Sequence, residues 1–214
     1  MDDEFFDRLR GRVLVYFEGT NPCHDISHVD RVLKLALRLG ESEGADLEIV
    51  WAAALLHDVA RKEQDELGGM VCHAERGGEL ARDILKEMGI SEESIKKVVH
   101  CVETHRFRKE NIPESVEAMV LYDADKLDAI GAIGILRAGS FSGSIGANVH
   151  DTSIDIENTE AYGKDDSAYR EFLVKLVKVK DKMLTVSGRE IAVGRHDFMV
   201  EFFDRLNKEV EGEL

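Results

Sequence analysis

The sequence predicts an all-α protein with about seven to ten helices, and three observations support this fold class. Apolar residues recur at three- and four-residue intervals along the chain, rather than alternating as they do in strands. Only two prolines occur in 214 residues, fewer than the many turns of an all-β protein use. Hydrophobic residues make up 43% of the chain, so a protein of this length can form a core without a disulfide or a metal. We therefore expect a single domain over residues 1–214.

The individual helices follow from the apolar spacing and from capping residues. Predicted helices cover residues 27–40, 46–60, 73–88, 91–105, 114–137 (one helix or two in succession), 165–184 and 195–212. The first ends at Gly40, and the fourth begins at Ser91, a good N-cap that two glutamates follow. The helix over 46–60 is apolar nearly all round, so it must lie at the centre of the protein.

Residues 139–165 differ in composition from the rest of the chain. They are rich in Ser, Gly, Asn, Asp and Thr and show no helical spacing. A loop of this length in a compact domain is usually functional or disordered. We therefore expect a core over about residues 20–138, a loop over 139–165 that either folds over a site or forms a mobile surface excursion, and C-terminal helices over 165–212.

Charge and composition disfavour several classes of partner. The chain has 28 basic and 43 acidic residues, which gives a formal net charge of −15. This field repels nucleic-acid polymers and anionic membranes, so neither is expected as a partner. The apolar stretches fall short of the roughly 20 residues that span a membrane, and the acidic N-terminus does not resemble a secretory signal. Three scattered cysteines are typical of reduced thiols, so a cytoplasmic location is expected.

One of four His-Asp dipeptides is directed towards the interior. The dipeptide occurs at 24–25, 57–58, 150–151 and 196–197. Only His57-Asp58 ends an apolar helix, and a buried carboxylate costs several kcal/mol unless a cation compensates it. A metal ion would supply that cation, with the imidazole as a second ligand. A histidine that caps its own helix, beside an ion pair from Asp58 to Arg61 or Lys62, would explain the same residues.

Two further residues favour the metal interpretation. His28 shares a helix face with three apolar residues, Val32, Leu35 and Leu39, and therefore points inward. Asp125 lies in an apolar helix on one face with leucine, tyrosine and alanine, where an unpaired acid would be unstable. Two histidines and two aspartates form a mixed nitrogen–oxygen site. Such a site suits Mn²⁺, Fe²⁺, Ni²⁺, Co²⁺ or Zn²⁺ better than Ca²⁺.

The order of these residues resembles the HD-domain superfamily of metal-dependent phosphohydrolases. The longest similar stretches are His-Asp-Ile-Ser-His-Val-Asp-Arg-Val (24–32) and Asp-Ala-Asp-Lys-Leu-Asp-Ala-Ile-Gly-Ala-Ile-Gly-Ile-Leu-Arg (123–137). The resemblance covers about residues 5–210 and is greatest to small bacterial and archaeal HD hydrolases, some of which cleave nucleotides. It implies an all-α HD-domain bundle, a small phosphorylated substrate, foremost a nucleotide, and one divalent ion. The implied ligands are His28, His57, Asp58 and Asp125.

Other histidines have weaker assignments. Helical spacing directs His73 and His105 inward, whereas His100 lies among charged residues and is expected in solvent. The resemblance implies that the two inward histidines either bind a second metal or contact phosphate, and we favour phosphate. His24, in the first motif, is assigned to the same group.

The position three residues after the His-Asp pair departs from some relatives. Certain nucleotidases and guanosine-tetraphosphate hydrolases carry a catalytic acid there, whereas this chain has Arg61. Glu63 and Asp65 lie nearby and are possible substitutes, although an acidic loop in solvent explains them equally well. The sequence therefore does not identify the general acid.

The implied mechanism is hydrolysis by a metal-activated water. Metal coordination lowers the pKa of a bound water from nearly 16 towards roughly 7, and Asp58 would both bind the metal and orient or deprotonate that water. Charge that develops on phosphoryl oxygens requires cationic donors. The candidates are Lys126, next to a ligand, and Arg31, one helical turn after His28. Each candidate has an alternative role. Lys126 would instead neutralise the neighbouring Asp123 or Asp128, and Arg31 would instead lie on the surface.

Two other functions are compatible with the sequence. A diiron enzyme similar to inositol oxygenase would need both His73 and His105 on a second iron. A sensor of nucleotide or metal would bind without turnover. We favour the hydrolase because all four implied ligands are present. A homodimer is a further expectation, because four residues near the C-terminus would pack either in the core or between two copies; these are Phe198, Met199, Phe202 and Phe203.

Overall fold

Every regular element in the computed structural model, which describes residues 1–20, 22–107 and 111–214, is helical. The α-helices are α1 (Asp3–Val13), α2 (Ile26–Glu43), α3 (Leu47–Leu56), α4 (Arg61–Glu66), α5 (His73–Glu87), α6 (Glu92–Thr104), α7 (Val116–Asp128), α8 (Gly131–Ser144), α9 (Ala168–Val174) and α10 (Val186–Val210). Short 3₁₀ turns lie at Leu14–Phe17, Pro22–His24, Ile156–Asn158, Leu176–Lys178 and Lys180–Lys182. The predicted all-α fold is confirmed.

The chain divides into two compact units, Met1–Asp125 and Lys126–Leu214. The boundary falls inside α7, so each unit is described by itself, and the single domain stays a prediction. None of the described helices is both long enough and apolar enough to cross a membrane.

In the first unit, α2 extends past the end that the sequence predicts. Its N-terminus is capped by Asp25, whose carboxylate accepts a hydrogen bond from the amide of His28 at 3.1 Å. The helix ends at Gly44, which has a left-handed φ of 72°, and not at Gly40. Gly40 is instead a packing residue, because a Cβ there would lie 2.9 Å from Cδ2 of Leu47 at the start of α3.

Helix α3 is buried on nearly all sides, as predicted. Its buried residues are Ile49, Val50, Ala52, Ala53, Ala54, Leu55 and Leu56. It ends at Leu56, four residues earlier than predicted, and the chain then turns through 57–60. A tight 3₁₀-type hydrogen bond from the amide of Val59 to the carbonyl of Leu56 (3.3 Å) closes this turn. Because α3 ends here, His57 and Asp58 lie directly after its C-terminus, where both are buried.

Helices α5 and α6 agree with the predicted boundaries to within one residue. Ser91 caps α6 as predicted, with its hydroxyl accepting a hydrogen bond from the amide of Ser94 at 3.2 Å. His100, predicted to lie in solvent, is half-buried. Its Nε2 accepts a hydrogen bond from the amide of Glu114 at 3.1 Å, so the ring holds the segment that leads into α7.

The stretch predicted over 114–137 contains two successive helices, α7 and α8. Gly131 opens α8 with a left-handed φ of 79°, a conformation that glycine adopts without strain. Gly134 is required for a different reason, because a Cβ there would lie 2.3 Å from the carbonyl oxygen of Ala129. In the second unit, the buried carboxylate of Asp128 supports this corner by pairing with Nη1 of Arg137 at 2.9 Å.

The segment predicted as a loop over 139–165 is irregular only after α8 ends at Ser144. Its second half is anchored by the buried side chain of Arg170, which donates to Asp166 Oδ1 at 2.8 Å and to Thr159 Oγ1 at 2.7 Å. The other oxygen of Asp166 accepts a hydrogen bond from the amide of Tyr162 at 2.7 Å. These bonds tie the segment to α9.

We expect Arg170→Lys to loosen this segment. Lysine keeps the positive charge near Asp166 but lacks the forked donors that also bind Thr159, and losing a buried hydrogen bond costs about 1–3 kcal/mol. Protease cleavage within 148–165 should therefore be about tenfold faster, measured by limited proteolysis. Arg205→Lys is the matched control because Arg205 forms an exposed ion pair with Glu209. Equal cleavage rates in the two variants would contradict the anchoring role.

The C-terminal helices differ from their predicted boundaries. The predicted helix over 165–184 is the short α9 followed by two 3₁₀ turns, and α10 begins nine residues before the predicted start. Thr185 caps α10 by accepting a hydrogen bond from the amide of Gly188 at 2.9 Å. Gly188 and Gly194 interrupt the apolar spacing, so the sequence pattern does not indicate that the helix begins here. Two of the four residues assigned to a core or a dimer contact, Met199 and Phe203, are buried. The homodimer stays a prediction.

Candidate metal centre

The four ligands implied by the sequence converge within the first unit. His28 lies on α2, His57 and Asp58 follow α3 directly, and Asp125 lies near the end of α7. The Nε2 atoms of His28 and His57 are 3.3 Å apart. The Nε2 of His28 also lies 3.5 Å from Asp125 Oδ1 and 3.6 Å from Asp58 Oδ2.

Asp58 lies between two groups of imidazoles. On one side, its Oδ2 is 3.2 Å from Nδ1 of His24, whose side chain is 23% exposed and forms the more open end of the cluster. On the other side, its Oδ1 is 3.2 Å from Nε2 of His73 and 3.7 Å from Nε2 of His105. The Nε2 atoms of His73 and His105 are themselves 3.2 Å apart. The structure therefore brings all seven histidines and aspartates assigned to ligand or substrate roles into one cluster.

Backbone carbonyls determine which nitrogen carries the proton in two of these rings. Nδ1 of His57 lies 2.7 Å from the carbonyl of Ala54, and Nδ1 of His105 lies 2.6 Å from the carbonyl of Val102. A carbonyl oxygen only accepts, so each Nδ1 must donate its proton. In the neutral ring the lone pair is then on Nε2, which faces the cluster.

Burial and mutual charge set the protonation states of the cluster. Burial alone would raise the pKa of Asp58, but His57, His24 and His73 together hold it well below its usual range. Burial lowers the pKa of His105 well below its usual value, and His73 and His57 lower it further. Burial also lowers the pKa of His73, although Asp58 opposes the shift. A carboxylate and neutral imidazoles are the forms that bind metal ions.

This donor set fits a divalent transition-metal ion. Three overlapping groups each offer three ligand atoms within 4.8 Å of one another. They are His24, His28 and Asp58; His28, His57 and Asp125; and Asp58, His73 and His105. Imidazole nitrogens mixed with carboxylate oxygens are ligands that Mn, Fe, Co, Ni and Zn share.

The alternative in which Asp58 forms an ion pair with a neighbouring cation is not what the structure shows. Arg61 pairs with Asp65 at 3.1 Å, and Lys62 donates to the carbonyl of Glu18 at 2.8 Å. Glu63, the other nearby acid, pairs with Arg76 at 3.1 Å. These contacts match the acidic surface interpretation of the segment after Asp58.

The two cationic candidates, Arg31 and Lys126, are not assigned to the substrate by any contact of the described residues. Arg31 donates to the hydroxyl of Ser27 at 3.0 Å. Burial opposes a lowered pKa of Asp25, but hydrogen bonds from Ser27 and His28 lower it, and the charge of Arg31 adds to their effect. Lys126 directly follows Asp125 but belongs to the second unit. Contact of either residue with substrate stays a prediction.

Two residues at the cluster were missed in the sequence. Gln64 on α4 accepts a hydrogen bond from Nδ1 of His73, and Arg106 donates to the same Gln64 oxygen. Arg106 is identifiable in hindsight because it directly follows the inward-facing His105. Gln64 lies in a short polar helix without apolar spacing, so periodicity carries no signal for it.

Comparison with known proteins identifies the family. The HD domain model matches residues 25–130, which contain all four implied ligands. The Bacillus subtilis protein YpgQ, described as uncharacterized, is 38% identical over 211 residues, covering 96% of this chain and 94% of YpgQ. This chain belongs to the HD-domain superfamily. The resemblance found in the sequence is therefore confirmed.

Two solved structures share the fold of this chain along nearly its whole length. The crystal structure of YpgQ in complex with ADP has a TM-score of 0.73 and 33% identity, and the match covers 96% of this chain and 95% of that one. An HD-superfamily hydrolase from Bacillus thuringiensis has a TM-score of 0.76 and 32% identity, with 97% of each chain covered. These neighbours support the general prediction of a hydrolase.

The pKa shifts predict that the metal-free HD domain loses stability in acid. The pKa values of His73 and His105 lie below the ordinary 6.5, so below that pH the unfolded chain binds more protons than the folded one. The free energy of unfolding should fall as pH falls below about 6.5, by up to about 1.4 kcal/mol per pH unit for each histidine. Urea unfolding of the chelated protein at several pH values measures this slope. Stability that rises on acidification would contradict the prediction, and His105→Gln should flatten the slope.

Proposed function

We propose that this protein is a metal-dependent phosphohydrolase that cleaves a phosphate ester or anhydride of a small molecule, foremost a nucleotide. The observation that carries the proposal is the fully buried Asp58 carboxylate, with His24 and His28 near one oxygen and His73 and His105 near the other. A buried carboxylate surrounded by imidazole nitrogens is stabilised by a cation. The ADP complex of the YpgQ relative supports a nucleotide as the substrate class.

His28, His57, Asp58 and Asp125 would hold one divalent ion. Such an ion, when bound, polarises a phosphoryl oxygen and makes a water molecule more acidic. Asp58 stays deprotonated because of its neighbouring histidines, so it can accept a hydrogen bond from the attacking water and orient it.

The roles of His73 and His105 are better explained by a cation than by direct contact with phosphate. The Nδ1 proton of His105 is donated to Val102, so its Nε2 presents a lone pair that attracts cations and repels phosphate oxygens. We therefore favour a second ion between His73, His105 and Asp58 over the phosphate contact that we expected from the sequence. Arg31 and Lys126 remain candidates for neutralising charge on the substrate.

A substrate panel combined with elemental analysis tests the function. Purified protein with Mn²⁺, Co²⁺ or Ni²⁺ should release phosphate or pyrophosphate from at least one nucleotide in the panel. Two irons per chain with oxygen consumption would favour the diiron oxygenase, and tight nucleotide binding without turnover would identify a sensor. Inactivity of a fully metallated sample on every phosphorylated compound would contradict the proposal.

Two properties are proposed without support from the site. We propose a cytoplasmic location, which cell fractionation tests, and a homodimer, which light scattering tests. The exposed fractions of Phe198 and Phe202, 46% and 37%, are consistent with the second.

A further inference from the structure

Gln64 contacts the cluster through one side-chain atom. Its Oε1 lies 2.9 Å from Nδ1 of His73 and 3.2 Å from the backbone nitrogen of the same residue. Nη1 of Arg106 lies 3.1 Å from this oxygen and 3.4 Å from Nδ1 of His73. One half-buried amide thus joins three donors at the edge of the proposed metal centre.

The backbone contact determines the orientation of the amide and the protonation of the ring. The N–H of His73 only donates, so the Gln64 atom that faces it must be the oxygen. The same oxygen lies 2.9 Å from Nδ1 of the ring, closer than Nη1 of Arg106 at 3.4 Å, so Nδ1 donates its proton to Gln64. The lone pair of His73 is then on Nε2, which lies 3.2 Å from both Asp58 Oδ1 and Nε2 of His105.

The position of His73 in its helix explains why another residue must supply this acceptor. His57 and His105 donate Nδ1–H to carbonyls three residues earlier, at the ends of α3 and α6. His73 is the first residue of α5, so no preceding turn of its own helix offers such a carbonyl. The capping position Cys72 also makes no side-chain hydrogen bond to α5. Gln64 therefore both caps α5 and orients the ring.

We propose that Gln64 is a positioning residue that sets His73 in the Nδ1–H tautomer and holds the Arg106 guanidinium beside that ring. The inference rests on the proposed function and deepens it, because it fixes the Arg106 guanidinium, a group suited to binding phosphate oxygens, beside His73. Gln64 acts through His73 and Arg106 rather than by touching the substrate.

Imidazole nitrogen NMR of the full-length, chelated protein tests the tautomer directly. In the wild type, the ¹⁵N shift of His73 Nδ1 should be that of a protonated nitrogen and the shift of Nε2 that of an unprotonated one. Gln64→Leu removes the acceptor, so the two shifts should move towards each other or exchange. Gln64→Glu keeps an acceptor at the same position and should retain the wild-type pattern. The control is Glu66→Leu, an exposed change on the same helix.

Kinetics supply the second measurement. With a substrate found in the panel, Gln64→Leu should lower kcat/KM by about 10- to 100-fold, and Gln64→Glu should recover most of the loss. Wild-type shifts for His73 in Gln64→Leu would overturn the proposal. If that variant does not fold, Gln64→Asn, whose amide is one methylene shorter, decides by the same criterion. The NMR result does not depend on turnover, so it stands or fails separately from the hydrolase proposal.

Discussion

Replacing Asp58 with asparagine is expected to remove bound metal and to lower phosphate release by about 10³-fold or more. Both carboxylate oxygens of Asp58 lie within 4 Å of imidazole nitrogens, at 3.2 Å from His24 on one side and 3.2 Å from His73 on the other. An asparagine offers one oxygen and one NH₂ group, and the NH₂ cannot act as a ligand. It also removes the negative charge that lies between the two groups of rings, so a divalent cation loses a strong attraction there.

The matched control for this variant is Asp197→Asn. Asp197 follows His196 in the same dipeptide but is exposed on α10. This control should retain metal content and turnover, measured by elemental analysis and phosphate release on the same preparations. Full metal content in Asp58→Asn would refute the assignment of Asp58 as a ligand. Circular dichroism of both variants separates loss of the site from loss of the fold.

Gly134→Ala is expected to destabilise the second unit by about 4 kcal/mol, a cost in the upper range for single substitutions. The added methyl group would lie 2.3 Å from the carbonyl oxygen and 2.6 Å from the carbonyl carbon of Ala129. Both are backbone atoms, so the contact cannot be relieved by rotating a side chain. The turn between Asp128 and Gly131 would have to open, which disturbs the pair of the buried Asp128 with the half-buried Arg137.

A second glycine on the same helix should show the opposite sign. Gly139 is exposed, and a Cβ there meets nothing within 4 Å. Gly139→Ala should therefore raise the free energy of unfolding by about 0.5–1 kcal/mol, because alanine is the better helix former. Urea unfolding of the two variants measures the difference. A Gly134→Ala protein as stable as Gly139→Ala would show that the corner does not pack as described.

Helical spacing locates the histidines of the cluster because it reports the direction in which a side chain points. His28, His73 and His105 each share a face with apolar residues, and the structure buries all three. Burial by itself would have been misleading for the acidic residues of α7. Asp123 and Asp128 are 0% and 1% exposed, whereas the side chain of Asp125, the acid beside His28, is 18% exposed. The sequence selected Asp125 from its apolar helix face, and the family resemblance then implied it as a ligand, although it is the most exposed of these three acids.

Periodicity could not predict features that depend on contacts between distant segments. Gln64 lies in a six-residue polar helix, and its contact with His73 arises only when α4 and α5 pack together. The sequence predicts the end of α2 at Gly40 and not at Gly44, because a glycine needed for close packing and a glycine needed for a left-handed turn look alike in a sequence. The start of α10 was missed because glycines interrupt its apolar stripe.

The attachment of His57 and Asp58 to the end of α3 couples their orientation to the register of that helix. Each residue inserted into an α-helix rotates everything beyond it by about 100°. A one-residue insertion or deletion in α3 would therefore swing both side chains out of the cluster while also shifting its buried residues. In the evolution of this chain, α3 therefore has to be inherited at constant length.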